Sequence, residues 1–399
     1  MNNKIKIPVA VQLRVDDVAW HNGADQRFVG LPSRSGLPRH HSVLDYHVLN
    51  EIGKGVNMKI SCALVLGEWD KDNLLRGEKN VTYNMSGWNR AAEIDYDYAN
   101  KSFELLESSE YIDYTWHSLL HGFYHKDKLV TEKVLNPFRY DAEKDEYISG
   151  EYTWLTEDEF RRHIALWFRI YDNWGFKKRV KSYAPPCGDW GVPDDDGNKM
   201  YAEVLKEYGI YVWESIFANS FEGGADVCNG VVCMKAGGED VGVSLPWNAY
   251  DIDPDFINLY IPDGTHNPNA DFRVHWTNLI RWQSEKNMEY VPKWIAYLKR
   301  QSEVFGTMLS RDVEFAASQA IYSRYAKLSF EDQKCIIDLK EADAKKAVVL
   351  KNEFYISFKN GIEPKQCLGG TIELYECKKE FKTYKITRNN GIDNVSVIF

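Results

Sequence analysis

The sequence has few of the features that would send it to a membrane, a nucleic acid or an oxidising compartment. No segment reaches the roughly 18 consecutive apolar residues that a membrane-spanning helix needs. The N-terminus, MNNKIKIPVAVQLRVDD, holds no apolar stretch long enough for a signal peptide. There is no Lys/Arg block or basic helix and the net charge is −10, which argues against nucleic acid and anionic membrane as partners. The seven cysteines, at positions 62, 187, 228, 233, 335, 367 and 377, are odd in number and contain no CxxC pair. A disulfide framework is therefore not expected, and a reducing, cytoplasmic setting is. No internal repeat or low-complexity stretch is visible.

The 399 residues, 44% hydrophobic, suffice for one large domain and a small one. Strand-like segments alternate with helical ones: Ile5–Val15, a helix from Val43, Met58–Leu66, a helix from Tyr96, Tyr111–Thr115, an amphipathic helix over Thr156–Gly175, Val180–Ala184, a helix from Lys199, Ile210–Trp213 and Phe272–Trp276. Asn136–Gly150 reads as a polar loop. Units of about 40 residues or more in this order predict α/β with a parallel sheet or barrel. After about residue 330 the pattern changes to alternating segments with Asn-Gly and Gly-Gly turns, which predicts a small antiparallel sheet or sandwich. The expected division is 1–330 and 331–399. The 13 Trp, 24 Tyr and 18 Phe predict a large aromatic core, or more sharply a groove that stacks sugar rings.

Three features fall at predicted strand ends: Asp16-Asp17, the stretch WHSLLHGFYH at 116–125, and Pro185-Pro186-Cys187-Gly188. His275, ending FRVH, is a fourth. Adjacent carboxylates at the end of an apolar strand are costly unless paired or solvated. If the sheet closes into a barrel, all four features share one face. One carboxylate and two imidazoles suit a divalent metal, zinc first, with manganese, iron, cobalt or nickel as alternatives. His117, His121 and His125 recur at intervals of four. On an extended strand such residues stand ~13 Å apart, too far to share a metal. Ser118-Leu119-Leu120 continues the strand pattern and Gly122 breaks it. That favours His121 and His125 as ligands, with His117 as the alternative. His40-His41 are expected to flank the first helix, and Cys187 to be structural.

The order Asp-Asp, His-xxx-His, Pro-rich loop, late Val-x-His resembles the polysaccharide deacetylase (NodB-homology) superfamily, which includes carbohydrate esterase family 4. The resemblance covers roughly residues 5–325. It implies a distorted, TIM-like (β/α) barrel of about seven strands, followed here by the small C-terminal all-β domain. It also implies a metal-dependent hydrolase that removes acetyl groups from an N-acetylated sugar or glycan. Asp16 would be general base, Asp17 a metal ligand beside two of the histidines, and His275 the general acid. Tyr183, Pro185, Cys187, Trp190 and Trp247 would line the carbohydrate groove. Two departures stand out: Val18 follows Asp-Asp where a small residue is usual, and Tyr183 replaces an Arg that would pair with the catalytic Asp. Trp213-Glu214 or Trp247 could stand near the family's fourth motif. Alternative readings are a glycan-binding barrel without turnover and a two-His, one-carboxylate iron enzyme.

Overall fold

The computed structural model describes residues 4–18, 41–78, 81, 87–120, 122–125, 128–131, 135–141, 146–154, 157–185, 196–215, 224–237, 270–281 and 283–399. Between 122 and 154, and at 196–198, 215, 235–237, 275, 277 and 278, the backbone alone is described.

The chain opens with β1 (Ile5–Lys6) and β2 (Ala10–Val18). Helix α1 (Val43–Val56) leads into β3 (Ile60–Leu64), and α2 (Tyr96–Ser108) into β4 (Ile112–Trp116). Two hairpins follow: β5 (Gly122–His125) with β6 (Lys128–Thr131), and β7 (Leu135–Asp141) with β8 (Glu146–Trp154). The second occupies the segment expected to be a polar loop. Helix α3 (Glu157–Trp174) leads into β9 (Val180–Tyr183) and α4 (Asp196–Glu207) into β10 (Val212–Ser215). Then come β11 (Ala225–Cys228), β12 (Val231–Gly237), β13 (Asp271–His275), α5 (Trp276–Leu279), α6 (Asn287–Phe305), the short β14 (Met308–Leu309) and α7 (Val313–Tyr325). The tail holds β15 (Lys327–Glu331), β16 (Lys334–Asp338), α8 (Lys340–Ala344), β17 (Glu353–Lys359), β18 (Gln366–Leu368), β19 (Gly370–Cys377), β20 (Phe381–Arg388) and β21 (Asn394–Ile398).

Local chemistry sets several boundaries. Asp95 caps α2 by accepting from the N–H groups of Asp97 and Tyr98, and Asp312 caps α7 through Phe315 N–H. Asn57 closes α1 in the left-handed region. Helix α3 buries Phe160, Ile164, Trp167, Tyr171 and Trp174, an apolar stripe at helical spacing that packs into the main core.

The large sheet has nine strands, in the order β10-β9-β4-β3-β2-β13-β12-β11, with β14 added beside β2. Neighbours from β10 through to β12 run parallel, and β10 is hydrogen-bonded to β12 as well as to β9. The expected TIM-like barrel of about seven strands with a small all-β domain is therefore corrected to a mixed α/β fold on a nine-stranded, mostly parallel sheet. The strand–helix alternation behind that expectation lapses after β10. There β11 turns back antiparallel on β12 through Asn229-Gly230, both with positive φ as a tight hairpin requires. The tail forms two antiparallel four-stranded sheets, β15-β16-β21-β18 and β1-β17-β20-β19, so the first strand of the chain pairs with the tail. No described helix is long and apolar enough to cross a membrane.

A candidate metal and acid–base site at the carboxyl ends of the strands

Strand β2 reads AVQLRVDDV and is buried almost throughout. A strand alternates its faces, and here one face carries Leu13 and Val15 into the main core. The other carries Gln12, Arg14 and Asp16, all buried. Small hydroxyls on the neighbouring strands continue this polar layer. Ser61 of β3 lies 2.7 Å from Thr115 of β4, and Thr115 lies 2.7 Å from Ser182 of β9. Both Ser61 and Thr115 donate to Glu214 of β10, at 3.3 Å.

Arg14 sits at the centre with no solvent exposure. Its Nε is 3.4 Å from Asp16 Oδ1 and 3.4 Å from Glu214 Oε2, and its Nη2 is 3.2 Å from Asp271 Oδ2. Burial works against its charge, but Asp16, Asp271 and Glu214 outweigh burial and raise its pKa. Burial pushes the Glu214 carboxyl up, with the Asp16 charge adding to it, while Arg14 and the hydroxyls oppose the rise. The Asp271 carboxyl is pushed well above its ordinary range by burial, then by Glu214 and Asp16.

At its carboxyl end β2 leaves regular register. The pairing with β3 shifts between Val15 and Val18, and Asp17 has φ +62°, a left-handed conformation that Asp tolerates better than most residues. The irregularity lets two successive carboxylates serve neighbouring partners instead of opposite faces. Asp16 engages Arg14, and Asp17 Oδ1 lies 3.1 Å from His117 Nε2.

His117 follows β4 directly, its N–H donating to the Leu64 carbonyl at 3.2 Å. Its Nδ1 lies 2.6 Å from the carbonyl of Ala184, just past β9. A carbonyl only accepts, so Nδ1 carries the proton. Nε2 then faces a carboxylate, which leaves two stable occupants of that contact. One is a second proton, making an imidazolium; the other is a cation shared by Nε2 and Asp17. Burial lowers the His117 pKa, but the Asp17 hydrogen bond, the charges of Asp16 and Asp17 and the Ala184 carbonyl together raise it above the ordinary value.

The strand ends at Trp116, and Ser118 adopts φ +62°. Ser118-Leu119-Leu120 therefore does not extend the strand, and the spacing objection to His117 as a ligand falls away. His121 lies outside the described residues. The backbone of His125 is in β5, and its side chain lies outside them. His275 stands in register with Asp16 across the β2–β13 ladder, its side chain again outside the described residues. Tyr183 is 1% exposed and stacks on Trp116 at 4.5 Å, so its ring belongs to the core. Pro185 is buried, while Cys187, Trp190 and Trp247 lie outside the described residues. His41 lies 3.3 Å from Asp45, whose carboxylate also accepts from Ser42 N–H at the start of α1, as a helix-flanking histidine would.

Sequence reading missed Arg14, Ser61, Thr115, Ser182 and Asp271. The available signal was a polar residue at every second position of strands otherwise apolar, as in Gln12-x-Arg14-x-Asp16. Arg14 is an arginine partner to Asp16 from within the same strand.

Among the described residues no group of three or more His, Cys, Asp or Glu side chains is gathered to hold a metal. Asp17 and His117 supply two donors of suitable chemistry, with His117 oriented through Nδ1 as metal-bound histidines are. No protein-family model matches the chain, and no curated protein matches it.

Proposed function

We propose that the chain is a divalent-metal hydrolase of the deacetylase type, acting on an N-acetylated sugar or glycan. The observation that carries this reading is the Asp17–His117 contact. A histidine with Nδ1 committed to a carbonyl presents Nε2 to a carboxylate 3.1 Å away, beside a second carboxylate held by a buried arginine. Asp17 and His117 hold the metal, zinc by preference, and His121 completes the set by its spacing from His117. When bound, the metal supplies Lewis acidity to a carbonyl and acidity to a water. Asp16 takes a proton from the attacking water, and Arg14 fixes the carboxylate that does so. His275, level with Asp16 on the adjacent strand, returns a proton to the leaving amine. Ala184 holds the His117 ring through its carbonyl.

The test is metal analysis of the purified protein combined with hydrolysis of chitin oligosaccharides, read as acetate and free amine. Parent protein is expected to bind about one zinc and release acetate; Asp17→Ala loses both, and Asp16→Asn keeps the metal but not the turnover. Unchanged zinc binding in Asp17→Ala overturns the proposal. So does parent protein that binds zinc but releases no acetate from any N-acetylated saccharide tried.

A further inference from the structure

Arg273 of β13 is in register with Arg14 of β2, and the two strands run parallel, so the arginines stand side by side on one face of the sheet. Their surroundings differ. Arg14 has no solvent exposure and touches Asp16, Glu214 and Asp271. Arg273 is partly exposed, and its guanidinium has no hydrogen bond and no carboxylate within 4.0 Å among the described residues. Burial is the largest influence on it and lowers its pKa, with Arg14 adding to that; Asp16, Asp271 and Asp17 oppose this from beyond ion-pair distance. Arg273 precedes His275 by two residues, and His275 is level with Asp16, so Arg273 lies one step below the proposed acid and base on their own face. On its other side β12 is paired only up to Gly237, opposite Phe272, so no β12 side chain stands level with Arg273 among the described residues.

A guanidinium keeps its charge, and taking its N–H groups out of water without acceptors is costly. Its planar fork matches the paired oxygens of a carboxylate or phosphate. We infer that Arg273 is an anion-binding residue of the candidate site, and that the molecule bound over Asp16 and Asp17 carries a carboxylate or phosphate group that this guanidinium grips. The anion sits on the β12 side of Arg273, away from the charges of Asp16 and Asp17 on the β2 side. This deepens the proposed hydrolysis and rests on it for the identity of the site. The substrate class narrows from N-acetylated sugars at large to acidic ones, bearing a sugar carboxylate or a phosphate. Arg273 orients that substrate and takes no part in the proton transfers.

Titration calorimetry of the full chain with glucuronate, with inorganic phosphate and with glucose as the uncharged control tests this without any turnover. One of the two anions is expected to bind where glucose does not, and the tighter one identifies the group. Arg273→Met should weaken that binding about tenfold or more, and Arg273→Lys, which keeps the charge but not the fork, by less. A second measurement needs no variant. Phenylglyoxal should modify Arg273 in the parent, read by peptide mass mapping with the fully buried Arg14 as the unreactive reference, and the bound anion should protect it. Failure of both anions to bind the parent overturns the inference, and so does equal binding by Arg273→Met. If the variants do not fold, reaction of Arg273 at an unchanged rate under saturating anion overturns it. Parent protein that binds the anion through Arg273 but releases no acetate from any N-acetylated saccharide keeps the contact and removes the deacetylase reading instead.

Discussion

Replacing Arg14 by Met tests whether the polar layer is held together by that one guanidinium. Arg14 touches three carboxylates at 3.2–3.4 Å and donates to the Glu214 carbonyl at 3.2 Å, with no solvent exposure. Met fills much of the volume but leaves the carboxylates facing one another. Removing one partner of a buried ion pair costs about 3–5 kcal/mol. A second route gives a similar figure. Neutralising one ordinary carboxyl at pH 7, about three units above its pKa, costs ~4 kcal/mol at 1.36 kcal/mol per unit. Arg14→Met is therefore expected to lose about 4 kcal/mol near neutrality. Because the native variant must hold protons that its unfolded chain has released, the deficit should shrink by about 1.4 kcal/mol per unit of falling pH for each such proton. Urea denaturation across a pH series measures this, and Arg14→Lys, which keeps the charge but not the fork, should fall between parent and Met. A Met variant within about 1 kcal/mol of the parent at pH 7, or a deficit that grows as pH falls, would refute the reasoning.

The other predictions concern the ligand pair and its support. His117→Gln should weaken zinc binding at least as much as loss of an outer-shell partner does, about 10–100-fold, measured by competition with a chromogenic chelator. In the parent, zinc competes with the proton on Nε2, so apparent affinity should fall by up to tenfold per unit once pH drops below the raised His117 pKa. Thr115→Val removes the hydroxyl linking Ser61, Ser182 and Glu214, and should cost about 1–3 kcal/mol in thermal or urea unfolding. Gly67→Ala places a Cβ 2.5 Å from the Leu119 carbonyl and 2.6 Å from the Leu120 side chain, a clash worth about 1–3 kcal/mol. Since Gly67 N–H also donates to Leu119, that variant should weaken zinc binding without touching a ligand.

The parts of the fold that depend on local signals were legible in the sequence. Helices α1, α2 and α3 lie close to where the sequence pattern puts them, and the turn-rich tail is antiparallel sheet. Strand-to-strand order was not legible, because pairing between β2 and β13, or β10 and β12, joins segments far apart in sequence. The hairpin at 135–154 was missed because a polar composition says loop whether or not the backbone pairs. At the site, Asp16, Asp17 and His117 were all singled out. The preference for His121 and His125 over His117 rested on strand geometry continuing through Ser118, and a single left-handed residue removes that premise. Arg14, Glu214 and Asp271 belong to three strands, and only their contact distances reveal that they answer one another.

How Asp17 reaches His117 at all is the point on which the site turns. Their strands, β2 and β4, are not neighbours: β3 runs between them, so the backbones are separated by about two inter-strand spacings, roughly 9–10 Å. Strand β3 ends at Leu64, level with Val18 of β2 and Trp116 of β4, and the chain then turns into a short 3-10 segment at Leu66–Trp69. The end of β3 is tied on both sides, its Leu64 carbonyl accepting from His117 N–H and Val65 N–H donating to the Val18 carbonyl. Positive φ occurs at Asp17 itself and at Ser118, the residue after His117. With these two left-handed residues, one in β2 and one just past β4, the carboxylate and the imidazole lie 3.1 Å apart. Such conformations cost about 1–3 kcal/mol each and persist where the surrounding structure enforces them. The irregularity at Asp17 serves packing as well, because it lies between Val15 and Val18, both buried in the main core.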